Sequence, residues 1–342
     1  MVTSSDQKPL TTKRSRAGRW RLRTAMATAL AGLGVIASGT AQAATVTQVA
    51  SEPPTRLVQS TGNLYWTSSA INEFGPSFAG VYRTGKTDTP GKETLLYSEN
   101  RDDYFFFGDL AYAQVNGAFF GYFTANYVDA GTAQIKRVPL TGGPAVVLAT
   151  LPRAFGVQDL VTDGTFLYWA DGLGVRKMSL SGGTVTTLAT GTSTFRVGLD
   201  ATQVFYSDGN RINSVPKTGG AVTAQVIDAS PITAMFVQAG AGGTSLYWGN
   251  DSGSVQSRPV GGAVTVYQSV TSTRSVSAVS FDGTRVLWSD FVRTAGNNYV
   301  VRKSQGGTTT VVSSGGVGAT DVQGDAGAMF WGDVSGVKKS VH

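Results

Sequence analysis

Five arginines, Arg56, Arg101, Arg153, Arg196 and Arg274, are spread along the chain at wide intervals. A guanidinium is a planar, permanently charged fork that grips carboxylates and phosphates through paired hydrogen bonds. Beside Arg101, the run Glu99-Asn100-Arg101-Asp102-Asp103-Tyr104 mixes both charges with an aromatic ring, which adds Asp103 and Tyr104 as candidate contact residues. A second set, Asp109, Asn116, Asp159 and Asp321, offers only oxygen ligands, the kind that hold Ca or Mg. The competing reading makes the arginines ordinary surface cations paired with acids such as Asp102, Asp103 or Asp159. The absences narrow the chemistry further. There is no cysteine, and the single histidine, His342, is the last residue and reads as an inert tail. Disulfides, Cys/His zinc sites and catalysis by Ser-His-Asp or Cys-His are therefore excluded.

These residues need a scaffold, and a repeated phrase supplies it. The phrase reads Leu64-Tyr65-Trp66, Leu167-Tyr168-Trp169-Ala170-Asp171, Leu246-Tyr247-Trp248, Val286-Leu287-Trp288-Ser289-Asp290 and Met329-Phe330-Trp331-Gly332-Asp333. Weaker copies are Val204-Phe205-Tyr206-Ser207-Asp208 and Phe119-Phe120-Gly121-Tyr122. Taking Trp66, Tyr122, Trp169, Tyr206, Trp248, Trp288 and Trp331 as equivalent gives intervals of 56, 47, 37, 42, 40 and 43 residues. A period near 40 residues, rich in Val, Thr and aromatics and cut by glycine turns, predicts four short strands per repeat. Val157–Gly191 divides most cleanly: strands at 157–162, 165–170, 174–180 and 184–190, with turns at Asp163-Gly164 and Ser181-Gly182-Gly183. Asp-Gly and Asn116-Gly117 read as two-residue hairpin turns that need positive φ. The expected fold is all-β: a single propeller of seven four-stranded blades, with six as the alternative. The last copy stops after Gly336–Val341, and Thr45–Ala50 resembles a fourth strand. The N-terminal strand is therefore expected to close the ring.

Residues 1–43 read as a signal peptide, leaving 44–342 as the propeller domain. A basic stretch (Lys13 to Arg23, then Trp20 within it) precedes an apolar run from Ala25 to about Ser38, which ends in Ala41-Gln42-Ala43. Secretion or delivery to the cell envelope follows from it, with an uncleaved membrane anchor as the alternative. This leader carries seven of the 28 Lys and Arg and one of the 22 Asp and Glu, so the remainder has 21 of each. The sequence pI near 9.5 belongs to the leader. A basic footprint for nucleic acid is missing from the rest.

With Leu167–Asp171, followed by Val175-Arg176-Lys177-Met178-Ser179-Leu180 and Gly-Gly, the chain resembles the YWTD β-propellers of low-density-lipoprotein-receptor type. It also resembles related bacterial exported propeller proteins of unknown function. The resemblance covers about residues 45–341 and is close throughout only at 157–191. Threonine follows tryptophan only at Thr67, and the receptor family has six blades. As structural residues, Trp66, Trp169, Trp248, Trp288 and Trp331 should fill the joints between blades. Asp171, Asp208, Asp290 and Asp333 should lock turns at strand ends.

A propeller ligand usually meets one face, at the mouth of the central channel, where Arg56, Arg101, Arg153, Arg196 and Arg274 would form a cationic collar. Sialidase-like propellers need a residue between the Asp and Gly of their turn, and here those residues are adjacent. Streptogramin-lyase-like and quinone-dependent propellers lean on histidines. Lactonase-like propellers hold a divalent metal with Glu, Asn and Asp, so they survive as an alternative. The reading that follows is an exported, non-catalytic binding or interaction module, monomeric and without cofactor, recognising a protein or a small anionic ligand. A carbohydrate-binding lectin is the other alternative.

Overall fold

The computed structural model describes residues 45–342 apart from 71–76, 153–155, 271–272 and 294–297. The leader, Trp20 and Arg153 therefore lie outside the described residues. Ala43–His342 form one unit of antiparallel sheets.

In chain order, β1 (Val46–Ala50) is followed by a sheet of β2 (Arg56–Gln59), β3 (Asn63–Ala70), β4 (Ser77–Gly85) and β5 (Thr94–Arg101). The next sheet holds β6 (Phe105–Val115), β7 (Ala118–Tyr127), β8 (Thr132–Pro139) and β9 (Val146–Pro152). A long sheet then joins β10 (Asp159–Thr162), β11 (Phe166–Ala170), β12 (Gly172–Ser179), β13 (Thr186–Leu199), β14 (Gln203–Asp208), β15 (Arg211–Pro216) and β16 (Thr223–Ile227). Two further sheets follow: β17 (Ile232–Gly240), β18 (Gly243–Asn250), β19 (Val255–Pro259) and β20 (Thr265–Gln268), then β21 (Arg274–Phe281), β22 (Val286–Val292), β23 (Asn298–Gln305) and β24 (Thr308–Val317). The last sheet runs β25 (Val322–Gly324), β26 (Ala328–Asp333), β27 (Gly336–Val341) and finally β1. The N-terminal strand thus pairs with the C-terminal one, from Val46 opposite Ser340 to Ala50 opposite Val337.

This arrangement corrects the expected blade count. The propeller has five four-stranded blades and one seven-stranded sheet, rather than seven separate blades or six equal ones. The cause is β13. Its first part pairs with β12, from Lys177 opposite Thr186 to Gly174 opposite Thr190, and its second part pairs with β14, from Val197 opposite Tyr206 to Leu199 opposite Val204. Thr194 faces Gly172 on one side and Asp208 on the other. The linking segment Thr190-Gly191-Thr192-Ser193-Thr194 has no proline and three β-branched threonines, so extended backbone is open to it, and it is extended where a loop was expected. Asp208 Oδ1 fixes it by accepting the N–H of Thr192 at 3.2 Å and of Ser193 at 3.0 Å.

The aromatic phrase packs the joints by strand alternation, in which adjacent residues face opposite sides of a sheet. Tyr247 joins a cluster with Trp288 of the next sheet, while Trp248 joins Phe205 of the preceding one. Phe330 and Trp66 meet in the same way across the ring closure. All five tryptophans are fully buried. In the second sheet Tyr122 packs with Trp169 and Phe123 with Tyr65, so Phe123, and not Tyr122, stands in the tryptophan position.

Turn chemistry differs from expectation in one respect. Asn116 (φ 49°) and Gly117 (φ 81°) form the hairpin turn with positive φ at both positions. In Asp163-Gly164 only the glycine is left-handed (φ 87°), and Asp163 Oδ1 instead accepts the N–H groups of Thr165 and Phe166 at 3.0 and 2.9 Å. Asp282 does the same for Thr284 and Arg285. His342 is not a free tail: its side chain is 4% exposed and its Nε2 lies 3.1 Å from Asp282 Oδ2.

Candidate functional site

Strands β2, β6, β10, β17, β21 and β25 end their sheets, and the second part of β13 pairs only with β14, so their channel-side groups need partners from outside the ladder. One side chain near the start of each supplies them. Asp321 Oδ2 accepts the N–H of Leu57 at 3.2 Å, Asp109 Oδ2 accepts that of Leu160, and Asp159 Oδ2 accepts that of Val197 at 2.8 Å. Where the residue is a donor, the bond runs the other way. Arg196 Nε donates to Thr233 O at 2.9 Å, Thr233 Oγ1 to Val276 O at 2.6 Å, and Ser277 Oγ to Ala319 O at 3.3 Å. Arg56 completes the circuit through Asp109, Nε to Oδ1 at 4.0 Å.

Arg56, Asp109, Asp159, Arg196 and Asp321 consequently line one cavity of about 320 Å³, with Ser277 and Gln323. Apolar side chains, among them Val58, Val161, Met235, Val237 and Val279, line the rest of it. All six oxygens of the three carboxyls accept a backbone N–H: the three bonds above, and Asp109 from Leu110, Asp159 from Leu160 and Asp321 from Val322. Asp109 and Asp159 share the N–H of Leu160, which brings their carboxyls together.

Burial and mutual fields shift these groups. Burial, then the charge and hydrogen bond of Asp159, hold Asp109 well above the ordinary carboxylate range, and Arg56 offsets this only in part. Asp321 is also raised by burial, against the pull of Arg56. Burial lowers the Arg56 pKa, but the fields of Asp109, Asp321 and Asp159 outweigh it and the net shift is upward. Arg196 goes the other way, down to about 10, because of burial first and the like charge of Arg56 second. It remains a cation at neutral pH, but one whose charge is under-compensated. Its Nη groups make no hydrogen bond or ion pair with the described residues.

The other expected site residues are elsewhere. Arg101 pairs with Asp103 at 2.7 Å and lies over the Tyr127 ring, 4.9 Å from its centroid, while Tyr104 is surface-exposed. Arg274 is bound to buried Asp290 at 2.6 Å, so it is no part of a collar. Asn116 sits in the hairpin turn that follows β6, away from Asp109. Among the described residues, no group of three or more His, Asp or Glu is placed to hold a metal ion. Asp171 and Asp333 cap turns, accepting the N–H of Leu173 at 3.2 Å and of Ser335 at 2.8 Å, as Asp208 does for Thr192 and Ser193. Asp290 instead anchors two arginines, Arg274 and Arg302. Thr233 and Ser277, the neutral members of the circuit, were not expected. The signal that finds four of the five charged members is spacing: Arg56, Asp159, Arg196 and Asp321 each stand ten residues before the aromatic of their repeat, and Asp109 does not.

No protein-family model matches the sequence, and no curated protein matches it. Solved structures are similar in fold. The WD40 β-propeller domain of Doa1 aligns with TM-score 0.60 at 12% identity, over 87% of this chain and 95% of that one. YCF48 from Cyanidioschyzon merolae aligns with TM-score 0.59 at 15% identity, over 88% of this chain and 99% of that one. At these identities the likeness establishes the β-propeller fold.

Proposed function

We propose that this is a non-catalytic binding module that receives an anionic group, from a small ligand or an acidic side chain of a partner protein, at the mouth of the channel. One observation carries the reading: Arg196 lines the cavity with its charge under-compensated and its Nη groups unbonded among the described residues. An arriving carboxylate would satisfy both nitrogens and relieve the repulsion from Arg56. The lactonase-like alternative is less favoured, because every oxygen of Asp109, Asp159 and Asp321 is already engaged by backbone N–H groups. The lectin alternative has no exposed tryptophan platform among the described residues, since all five tryptophans there are buried. The YWTD-like phrase is read as packing grammar shared with other propellers and not as a receptor signature. The leader-like segment 1–43 puts this binding outside the cytoplasm, and the domain acts as a monomer.

The test is calorimetric titration of the mature chain with a panel of small mono- and dicarboxylates, beside a cross-linking comparison of bound proteins. Arg196→Gln keeps much of the side-chain volume and should abolish the binding seen with the parent. A ligand that binds the variant as tightly as the parent would refute the assignment.

A further inference from the structure

A second cavity, of about 260 Å³, is lined by Arg285, Lys303, Gln305, Thr308, Thr310 and His342. It lies beyond the Asp282-Gly283 turn that follows β21, whereas the channel residue of that strand is Ser277. Five residues of extended chain separate Ser277 from Asp282, roughly 17 Å. The second cavity is thus distinct from the channel site and independent of its reading.

We propose that this cavity is a binding site for a phosphate-type oxyanion. Three of its side chains carry or can acquire positive charge, two present hydroxyls, and one presents an amide. That set suits a compact tetrahedral anion approached from several directions. Two features show unmet demand. Lys303 Nζ makes no hydrogen bond or ion pair with the described residues, and burial together with the charge of Arg285 lowers its pKa. His342 is almost wholly buried, yet its Nδ1 has no hydrogen-bond partner. The opposite nitrogen, Nε2, faces two acceptors, Asp282 Oδ2 and Asp325 O, both at 3.1 Å, so it carries the hydrogen. Nδ1 is then the free position, a lone pair in the neutral ring and a donor in the charged one.

Arg285 is held in place from the other side. Its Nη1 lies 3.2 Å from Asp282 Oδ2, and its Nε donates to Gln305 Oε1 at 3.1 Å. The charged groups facing His342 are Asp282, Arg285 and Lys303. Burial, then Arg285, lowers its pKa, with Asp282 opposing and Lys303 adding to the lowering. In the empty site the imidazole is therefore neutral through most of the physiological range. A bound dianion would favour the imidazolium, so an anion that stays doubly charged, such as sulfate, binds with proton uptake and tightens as pH falls, whereas phosphate loses a charge of its own over the same range.

The experiment uses the whole chain. Inorganic phosphate, glycerol phosphate, sulfate and acetate are titrated calorimetrically at pH 7.5 and 5.5, against Lys303→Gln and His342→Gln. Lys303→Gln removes a side chain with no bonded partner, so folding should be preserved, which a circular-dichroism melt checks. The expected result is phosphate binding at pH 7.5 with a dissociation constant below about 1 mM, at least tenfold weaker in Lys303→Gln, and sulfate binding that strengthens from pH 7.5 to 5.5 only while His342 is present. Acetate should bind least. Tighter binding of glycerol phosphate than of inorganic phosphate would identify a phosphomonoester, and the reverse order the free ion. No phosphate binding by the parent, or equal binding by a folded Lys303→Gln, would overturn the site.

Discussion

Replacing Asp290 with alanine should destabilise the fold severely without touching the channel. Asp290 is fully buried and receives Arg274 Nη1 at 2.6 Å, Arg302 Nη1, and Gln268 Nε2 at 3.2 Å. Trp288 Nε1 donates to Gln268 Oε1 at 3.3 Å, which ties the core aromatic to the same network. Removing one member of a buried pair costs about 3–5 kcal/mol, because the remaining charge is left without compensation. The Arg274 and Arg302 side chains are 24% and 12% exposed, so water recovers part of this and the loss falls near 3 kcal/mol. The orphaned Gln268 amide adds about 1 kcal/mol. A total of about 3–4 kcal/mol is a hundredfold or greater shift in the folding equilibrium, and about 6–16 °C in Tm. Arg274→Ala leaves Asp290 paired with Arg302 and should cost only about 1 kcal/mol. Guanidinium unfolding followed by tryptophan fluorescence reads both. If Asp290→Ala loses under about 1 kcal/mol, or if Arg274→Ala is the worse of the two, the network is not what holds this corner.

Other substitutions probe the channel and the joints. Asp109 has a folded-state pKa raised above its unfolded value. Its contribution is therefore fully present below the unfolded pKa and lost as pH rises through the folded one. Asp109→Asn removes that term, so its stability relative to the parent should improve as pH rises above 4 and level off once pH passes the folded-state pKa, and denaturation at several pH values would show a flat difference if the carboxyl were not raised. At Gly249 an added Cβ would lie 2.2 Å from Val276 Cγ1 of the neighbouring inner strand, so Gly249→Ala should cost about 1–3 kcal/mol, read as a lower Tm. Gly336 (φ 125°) begins β27, and a Cβ there would meet Ala50 O at 2.0 Å. Gly336→Ala should open the junction of the two termini, seen as faster hydrogen exchange of Val46–Ala50 with the other sheets unchanged.

The scaffold was legible because its signals are local: a large aromatic on the second strand of each repeat, glycines at turns, and threonine-rich outer strands. The blade count was not, because it hangs on whether Thr190–Thr194 bends or stays extended, and nothing in those five residues forbids either. The channel residues were half legible. Four sit at a fixed distance before the aromatic because Leu57 faces Trp66, Leu160 faces Trp169, Val197 faces Tyr206 and Val322 faces Trp331 across the ladder. Asp109, Thr233 and Ser277 break that spacing: the hairpins that follow Asp109 and Thr233 are four residues longer, and Thr233 and Ser277 sit in register shifts, between Ile232 and Ala234 and between Val276 and Ala278, that add a residue. A bulge adds a residue to one strand and re-aims the side chain, and no periodicity in the sequence announces it. Arg274 misled for the complementary reason. It opens a long strand three residues before the channel level and is drawn to Asp290 instead.

The fused strand bears on function through Arg196. The other charged members of the channel layer stand at or near the start of a sheet-end strand. Arg196 stands within β13, in the register shift between Thr194 and Val197; Thr194 is paired with β12 and β14, Val197 with β14, and the N–H of Arg196 donates to Ser207 Oγ at 3.1 Å. Its Nε is fixed to Thr233 O, which leaves only the Nη end to meet a ligand. A guanidinium held this way loses little freedom on binding, so more of the charge-assisted hydrogen bonding appears as affinity. Extended backbone through 190–194 therefore does more than merge two blades: it ties the segment before the least compensated cation of the channel to β12 and β14 at Thr194.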